Sequence, residues 1–227
     1  MLRNNNVTKH PLPWRGLERL ALGGLPVLFL MLLSLSCSEE ESELTEWHDW
    51  TTRNDQFFAS LQDSMAQNPS QWKRLKNFSL DPATEGDATD YVYAKVITQG
   101  DVTADSPAYT DSVRVIYRGR LIPSATYPEG RVFDETVYGT FSPLTGYSVK
   151  QQASRMIDGY ATALQAMHRG DYWRVYIPSA LAYGDEDRTS GSVVSIPGHS
   201  VLIFDLILID FSPAGITMQP WNSRRMK

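Results

Sequence analysis

Residues 131–136, RVFDET, set a carboxylate, Asp134, directly behind an aromatic, Phe133. A carboxylate can act as a general acid or base, ligate a metal, or simply accept a hydrogen bond, and its surroundings decide which. No histidine or cysteine follows close by. The four histidines, His10, His48, His168 and His199, are scattered rather than spaced as zinc ligands. The chain shows no Walker loop, no G-x-G-x-x-G, no H-E-x-x-H and no G-x-S-x-G elbow. No carboxylate pair stands out for glycan hydrolysis. Metal and cofactor chemistry are therefore not expected. The tripeptide Arg169-Gly170-Asp171 spells an adhesion motif, but it falls between a helix-like segment and a strand-like one and reads as a turn.

The chain has 227 residues, 42% hydrophobic and 21% charged, enough for one domain with a core plus extensions. Residues 1–36 differ from the rest. Arg3, Lys9, Arg15 and Arg19 precede an apolar run over 20–36 that is interrupted by Gly23, Gly24 and Pro26. That order is the pattern of a secretory signal, and the run is shorter than the about 20 residues a membrane span needs. Cys37, the only cysteine, stands where the run stops, and a lone cysteine cannot close an internal disulfide. This segment resembles a bacterial lipoprotein signal, which implies lipidation of Cys37 and a membrane anchor built from several acyl chains. Ser38 followed by Glu39, Glu40 and Glu41 resembles the acidic signal that carries some Gram-negative lipoproteins to the cell surface; a solvated tether is the alternative. Both readings place the protein outside the cytoplasm, on the periplasmic or surface face of the outer membrane.

Beyond the leader 17 basic residues stand against 25 acidic ones, and no basic stripe is present, so a nucleic-acid partner is not expected. Residues 45–67 hold Trp47, Trp50, Phe57, Phe58, Leu61 and Met65 at helical spacing, with Thr45 as N-cap and Pro69 beyond the end. The apolar face of this helix suits either the main domain or a homodimer through residues 45–67. Residues 79–90 are polar, contain Pro82 and Gly86, and read as a loop. From Tyr91 the period changes to two: YVYAKVIT, SVRVIYRGRL and DYWRVYIP alternate as strands, and SVLIFDLILIDF is apolar enough for a central one. Between them IDGYATALQAMH carries Ile157, Ala161 and Leu164 on one helical face. One helix among several strands implies an α+β domain with the helix laid across an antiparallel sheet.

The blocks VRVIYRGRL, VFDE, MIDGYATALQAMHRGDYWRVYIPSALAYG and SIPGHSVLIFDLILI follow, in order, the signature segments of FKBP-type peptidyl-prolyl cis-trans isomerases, which this chain resembles over about half its length. The resemblance implies an antiparallel half-barrel wrapped around one helix, here with an N-terminal helical extension. It divides the chain into a signal (1–36), a tether and helical extension (37–90), the isomerase domain (91–213) and a tail (214–227). By position it implies a groove made of Tyr117, Phe133, Asp134, Ile157, Tyr160, Tyr183, Ile196 and Phe204, with Tyr147 and Met156 contacting substrate. Tyr160 stands where the family usually has tryptophan and Met156 where it has valine, and residues 135–145 depart from the usual loop. The implied substrates are X-Pro bonds of exported polypeptides. A backbone N–H, that of Ile196, and the Tyr183 hydroxyl would hold the substrate carbonyl. Asp134 would orient the groove by accepting a hydrogen bond from a neighbour such as Tyr117. The alternative from another class is a peptide-binding or chaperone module that keeps the fold without turnover.

Overall fold

The computed structural model describes residues 46–190 and 193–220. The leader, Cys37, the acidic tether, Thr45 and the last seven residues lie outside them. Helix α1, Trp50–Gln67, buries Trp50, Asn54, Phe58 and Leu61, a spacing of four, four and three that forms one stripe. That stripe lies on the same chain: Phe58 stacks on Tyr93 at 4.8 Å and Phe57 tilts against Tyr176 at 6.1 Å. Of the two partners open to the helix, its own domain is the one it covers.

The sheet has seven antiparallel strands. They are β1 (Trp72–Lys76), β2 (Tyr91–Thr98), β3 (Ser112–Arg120), β4 (Val132–Glu135), β5 (Val149–Gln152), β6 (Tyr172–Ile177) and, after the small hairpin β7 (Arg188–Ser190) and β8 (Val193–Ile196), β9 (Leu202–Ser212). Their order is β1-β2-β6-β9-β3-β4, with β5 also on β3. The long strands β2, β3 and β6 coincide with the alternating segments of the sequence, and β9 with its long apolar run. The sequence reading kept residues 37–90 apart from the domain, yet β1 hydrogen-bonds along β2 from Trp72 opposite Lys95 to Lys76 opposite Tyr91. The described residues, from 46 onward, thus form one compact unit. A five-residue strand with three basic positions, WKRLK, carries too little periodicity to be recognised alone.

Helix α2, Asp158–Ala166, is laid across one face of this sheet, with Gly159 through Leu164 all buried. It comes so close to β6 that a Cβ on Gly159 would lie 2.2 Å from Ile177. α2 and the sheet face that carries Trp173, Val175 and Ile177 enclose the main core, in which Trp173, Leu164, Met167, Leu202, Leu206 and Leu208 are fully buried, whereas α1 covers Tyr93 and Tyr176 on the other face. Ile116, Val137, Ile207 and Ile209 form a smaller core on the opposite face, under Phe141 and Tyr172. Buried on both faces, β9 reads as one apolar run. Its fully buried charge, Asp205, is compensated by Arg120 at 2.6 Å, Arg174 at 2.8 Å and the Tyr172 hydroxyl at 3.2 Å.

The Arg169-Gly170-Asp171 tripeptide is a structural turn. Gly170 is left-handed at φ 88°, and Asp171, fully buried, accepts hydrogen bonds from the backbone N–H groups of Gly100 and His168, both at 2.7 Å. Arg169 pairs with Asp210 at 2.6 Å.

Candidate active site

A groove of about 460 Å³ opens at one end of the sheet, lined by Tyr117, Phe133, Asp134, Met156, Ile157, Tyr160, Tyr183, Ile196 and Phe204, with Gln151, Arg155, Arg188 and Ser195 beside them. Two bulges explain how neighbours in sequence share it. Successive strand residues ordinarily point to opposite faces. In the β3–β4 pair, however, Gly119 faces Asp134 while Arg120 faces Val132, so Phe133 is an extra residue and both Phe133 and Asp134 reach the groove. Opposite, Arg188 faces Ile196 while Thr189 faces Val194, leaving Ser195 extra, and Ser195 and Ile196 both line the other wall.

Phe204 sits at the centre of the floor. Its ring meets Tyr160 at 5.0 Å and Phe133 at 5.6 Å, both edge to face, and Tyr117 at 6.3 Å. Edge-to-face contacts suit the quadrupoles of aromatic rings and fix their relative tilt. The rings fit only because residue 119 is glycine. A Cβ there would stand 2.5 Å from the Phe133 ring and 2.9 Å from that of Phe204. Tyr160, 3% exposed at the start of α2, needs a partner for its hydroxyl and finds one in the Gln151 amide oxygen at 3.3 Å. Burial holds the Tyr160 phenol well above its ordinary pKa, so it stays a neutral donor.

The Tyr117 hydroxyl donates to Asp134 Oδ2 at 2.6 Å, the contact expected for this carboxylate. Desolvation and then the carboxylate itself push the Tyr117 phenol upward. Two donors remain open. Ile157, the residue capping α2, has its backbone N–H without a partner among the described residues, and the Tyr183 hydroxyl likewise makes no hydrogen bond there. The Tyr183 ring is held by Arg188, whose guanidinium lies 4.5 Å above it. Ile196, expected to supply the backbone donor, stands opposite Arg188 in the β7–β8 hairpin and contributes a side chain that is 5% exposed.

Tyr147 does not line the groove itself but stands near Tyr117, whose phenol it helps to push upward. The loop after β4 closes through a bridge between Val137 and Gly146, and Gly146 is pressed against Ile116 and Val137, where a Cβ would come within 2.8 Å. Tyr147 then turns outward, 51% exposed, beside Tyr138 at 6.4 Å. Gln151, Arg155, Arg188 and Ser195 were not foreseen. They come from polar segments whose only signal is adjacency, Arg155 to Met156 and Ser195 to Ile196. Among the described residues no group of three histidine, cysteine, aspartate or glutamate side chains converges as a metal site.

The arrangement has relatives. Residues 104–209 match the family model of FKBP-type peptidyl-prolyl cis-trans isomerases. An Escherichia coli K12 protein, the FKBP-type 22 kDa peptidyl-prolyl cis-trans isomerase, is 36% identical over 116 residues, covering 51% of this chain and 48% of its own length. The outer membrane protein MIP of Legionella longbeachae is 35% identical over 120 residues, covering 53% of this chain and 44% of its own. A peptidyl-prolyl cis-trans isomerase from Pseudomonas syringae pv. tomato has a crystal structure that aligns over 73% of this chain and 96% of its own, with a TM-score of 0.51 and 26% identity. The chain therefore spans about half the length of the curated relatives it matches. The fold is that of the FKBP domain, and the segment 104–209 that carries the groove matches the model of FKBP-type peptidyl-prolyl cis-trans isomerases.

Proposed function

We propose that this chain is a peptidyl-prolyl cis-trans isomerase that acts on X-Pro bonds of exported polypeptides, bound to a membrane through Cys37. The observation that carries the reading is the groove itself: a floor of packed rings with open hydrogen-bond donors at its edge and no histidine, cysteine or lysine in its lining. Rotation about an X-Pro bond breaks amide resonance against a barrier of about 18–20 kcal/mol and takes tens to hundreds of seconds unaided. No bond to a heavy atom has to form. In the twisted transition state the amide loses much of its charge separation, so a site that excludes water favours it over the planar ground state. Phe133, Tyr160, Ile157 and Phe204 supply the dry surface, with Met156 at its border. The Ile157 N–H, at the N-terminus of α2, and the Tyr183 hydroxyl supply donors for the substrate carbonyl. Ile196 is a wall of the groove in this account rather than the donor. Asp134 orients Tyr117 and takes no part in proton transfer.

Catalysed cis-to-trans exchange of Leu-Pro peptides, measured with the full chain, tests this. Turnover supports the assignment; peptide binding with no acceleration would make the chain a binding module with this fold. Because the groove is apolar, Leu before proline should be turned over faster than Gly, since burying a large aliphatic side chain is worth about 1.5–3 kcal/mol. Equal rates would contradict the pocket argument.

The extracytoplasmic part of the proposal rests on the leader pattern ending at Cys37 and is in keeping with the Legionella longbeachae relative being named an outer membrane protein. Homodimerisation through residues 45–67 is not included, because Trp50, Phe58 and Leu61 are buried against the chain's own sheet.

A further inference from the structure

The link 197–201 joins two groove residues, Ile196 at the end of β8 and Phe204 in β9, so its path sets how these walls face each other. It is not a relaxed connection. His199 is left-handed at φ 60°, a conformation uncommon outside glycine. At Gly198 a Cβ would lie 2.2 Å from the Asp185 carbonyl oxygen. A backbone in such a state persists only where its surroundings hold it.

Much of that hold comes from α1, which lies outside the family-matched segment. The Trp50 indole N–H donates to Ser200 Oγ at 2.9 Å, and Ser200 Oγ in turn donates to the Pro197 carbonyl. The Val201 N–H donates to Asn54 Oδ1 at 2.8 Å, while Asn54 Nδ2 donates to the Trp50 carbonyl at 2.7 Å. Asn54 is fully buried, so its amide is oriented by both bonds and cannot exchange them for water. On the outer side the His199 ring bridges Asp55 of α1 and Asp185, both at 2.9 Å, and the His199 N–H donates to the carbonyl of Gly184, the residue after Tyr183. A fully buried asparagine on an otherwise apolar stripe is an expensive way to cover a sheet. One of its two bonds ends on the link, at Val201, and the other ties the amide to the Trp50 carbonyl and so fixes its orientation.

We infer that Trp50 and Asn54 are positioning residues of the groove: through Ser200 and Val201 they fix the 197–201 link and thereby the placement of Ile196 and Phe204. The inference rests on the groove being the isomerase site. It makes α1 part of the working enzyme rather than an appendage to it.

The test uses the full chain and Asn54→Ala, Asn54→Asp and Leu61→Ala. Leu61 lies on the same buried stripe but touches none of the link's hydrogen bonds. Asn54→Ala should lower kcat/KM on a Leu-Pro peptide by about tenfold or more, the scale of small misplacements in a site. Asn54→Asp keeps the acceptor for Val201 but loses the donor to the Trp50 carbonyl, so it should restore part of the rate lost in Asn54→Ala. Leu61→Ala should lower the melting temperature at least as far as Asn54→Ala and keep the parent kcat/KM. Amide exchange over residues 195–204 should rise in Asn54→Ala alone. Equal losses of rate in Asn54→Ala and Leu61→Ala, or unchanged exchange over 195–204 in Asn54→Ala, would overturn the inference. A parent chain with no turnover would sink the isomerase assignment instead, and the exchange measurement would still decide whether α1 holds the link.

Discussion

Asp134 and Phe133 face the same groove because β4 is bulged, and Gly119 lies opposite the bulge without a side chain to obstruct it. The sequence showed the pair and the resemblance named it; the bulge that lets both residues act together left no mark in VFDE. Gly119→Ala tests the crowding directly. The added methyl must displace two packed rings, so we expect a stability loss of about 1–3 kcal/mol by thermal melting, together with most of the turnover. A variant as stable and active as the parent would show that the rings have slack. Tyr147 stands outside the groove lining for a local reason. The segment 136–146 closes on itself through Val137 and Gly146, and that closure, invisible in a string of Thr, Ser, Pro and Gly, turns the next residue to solvent.

Helix α1 was legible as an amphipathic element because Trp50, Phe58 and Leu61 keep helical spacing. Asn54, the member of the stripe that reaches the groove's link, was not, since a polar residue within an apolar face reads as an interruption. Strands β2, β3, β6 and β9 stood out by alternation or by a long apolar run, whereas β1, β4, β5 and the β7–β8 hairpin are three to five residues long and lack a pattern of that length. The docking of α1 should depend on pH through His199. Hydrogen bonds to Asp185 and then Asp55 raise its pKa above the ordinary histidine value. A folded-state pKa above the unfolded one means that the protonated bridge stabilises fully below about 6.5 and that this contribution disappears as pH rises through the raised value. The melting temperature of the parent should therefore fall across that window more than that of Asp55→Asn. Parallel curves would remove His199 from the account.

At the scale of the molecule, one antiparallel sheet carries the groove at one end and is covered by both helices, while the segment bearing the signal pattern and Cys37 precedes the compact unit. If Cys37 carries the anchor, Cys37→Ala should move the protein from the detergent phase to the aqueous phase on partitioning; unchanged partitioning would contradict lipidation. The central claim is narrower and chemical: the groove turns the X-Pro bond by excluding water from a twisted amide, not by moving a proton. The rate of Leu-Pro isomerisation by Asp134→Asn relative to the parent tests it most directly, because asparagine keeps the size and an acceptor for the Tyr117 hydroxyl but removes the acid. The account predicts a rate within about threefold of the parent, because the hydrogen bond from Tyr117 is weakened from charge-assisted to neutral but not lost. A loss of about a hundredfold to ten-thousandfold, the range of a missing general acid or base, would contradict it.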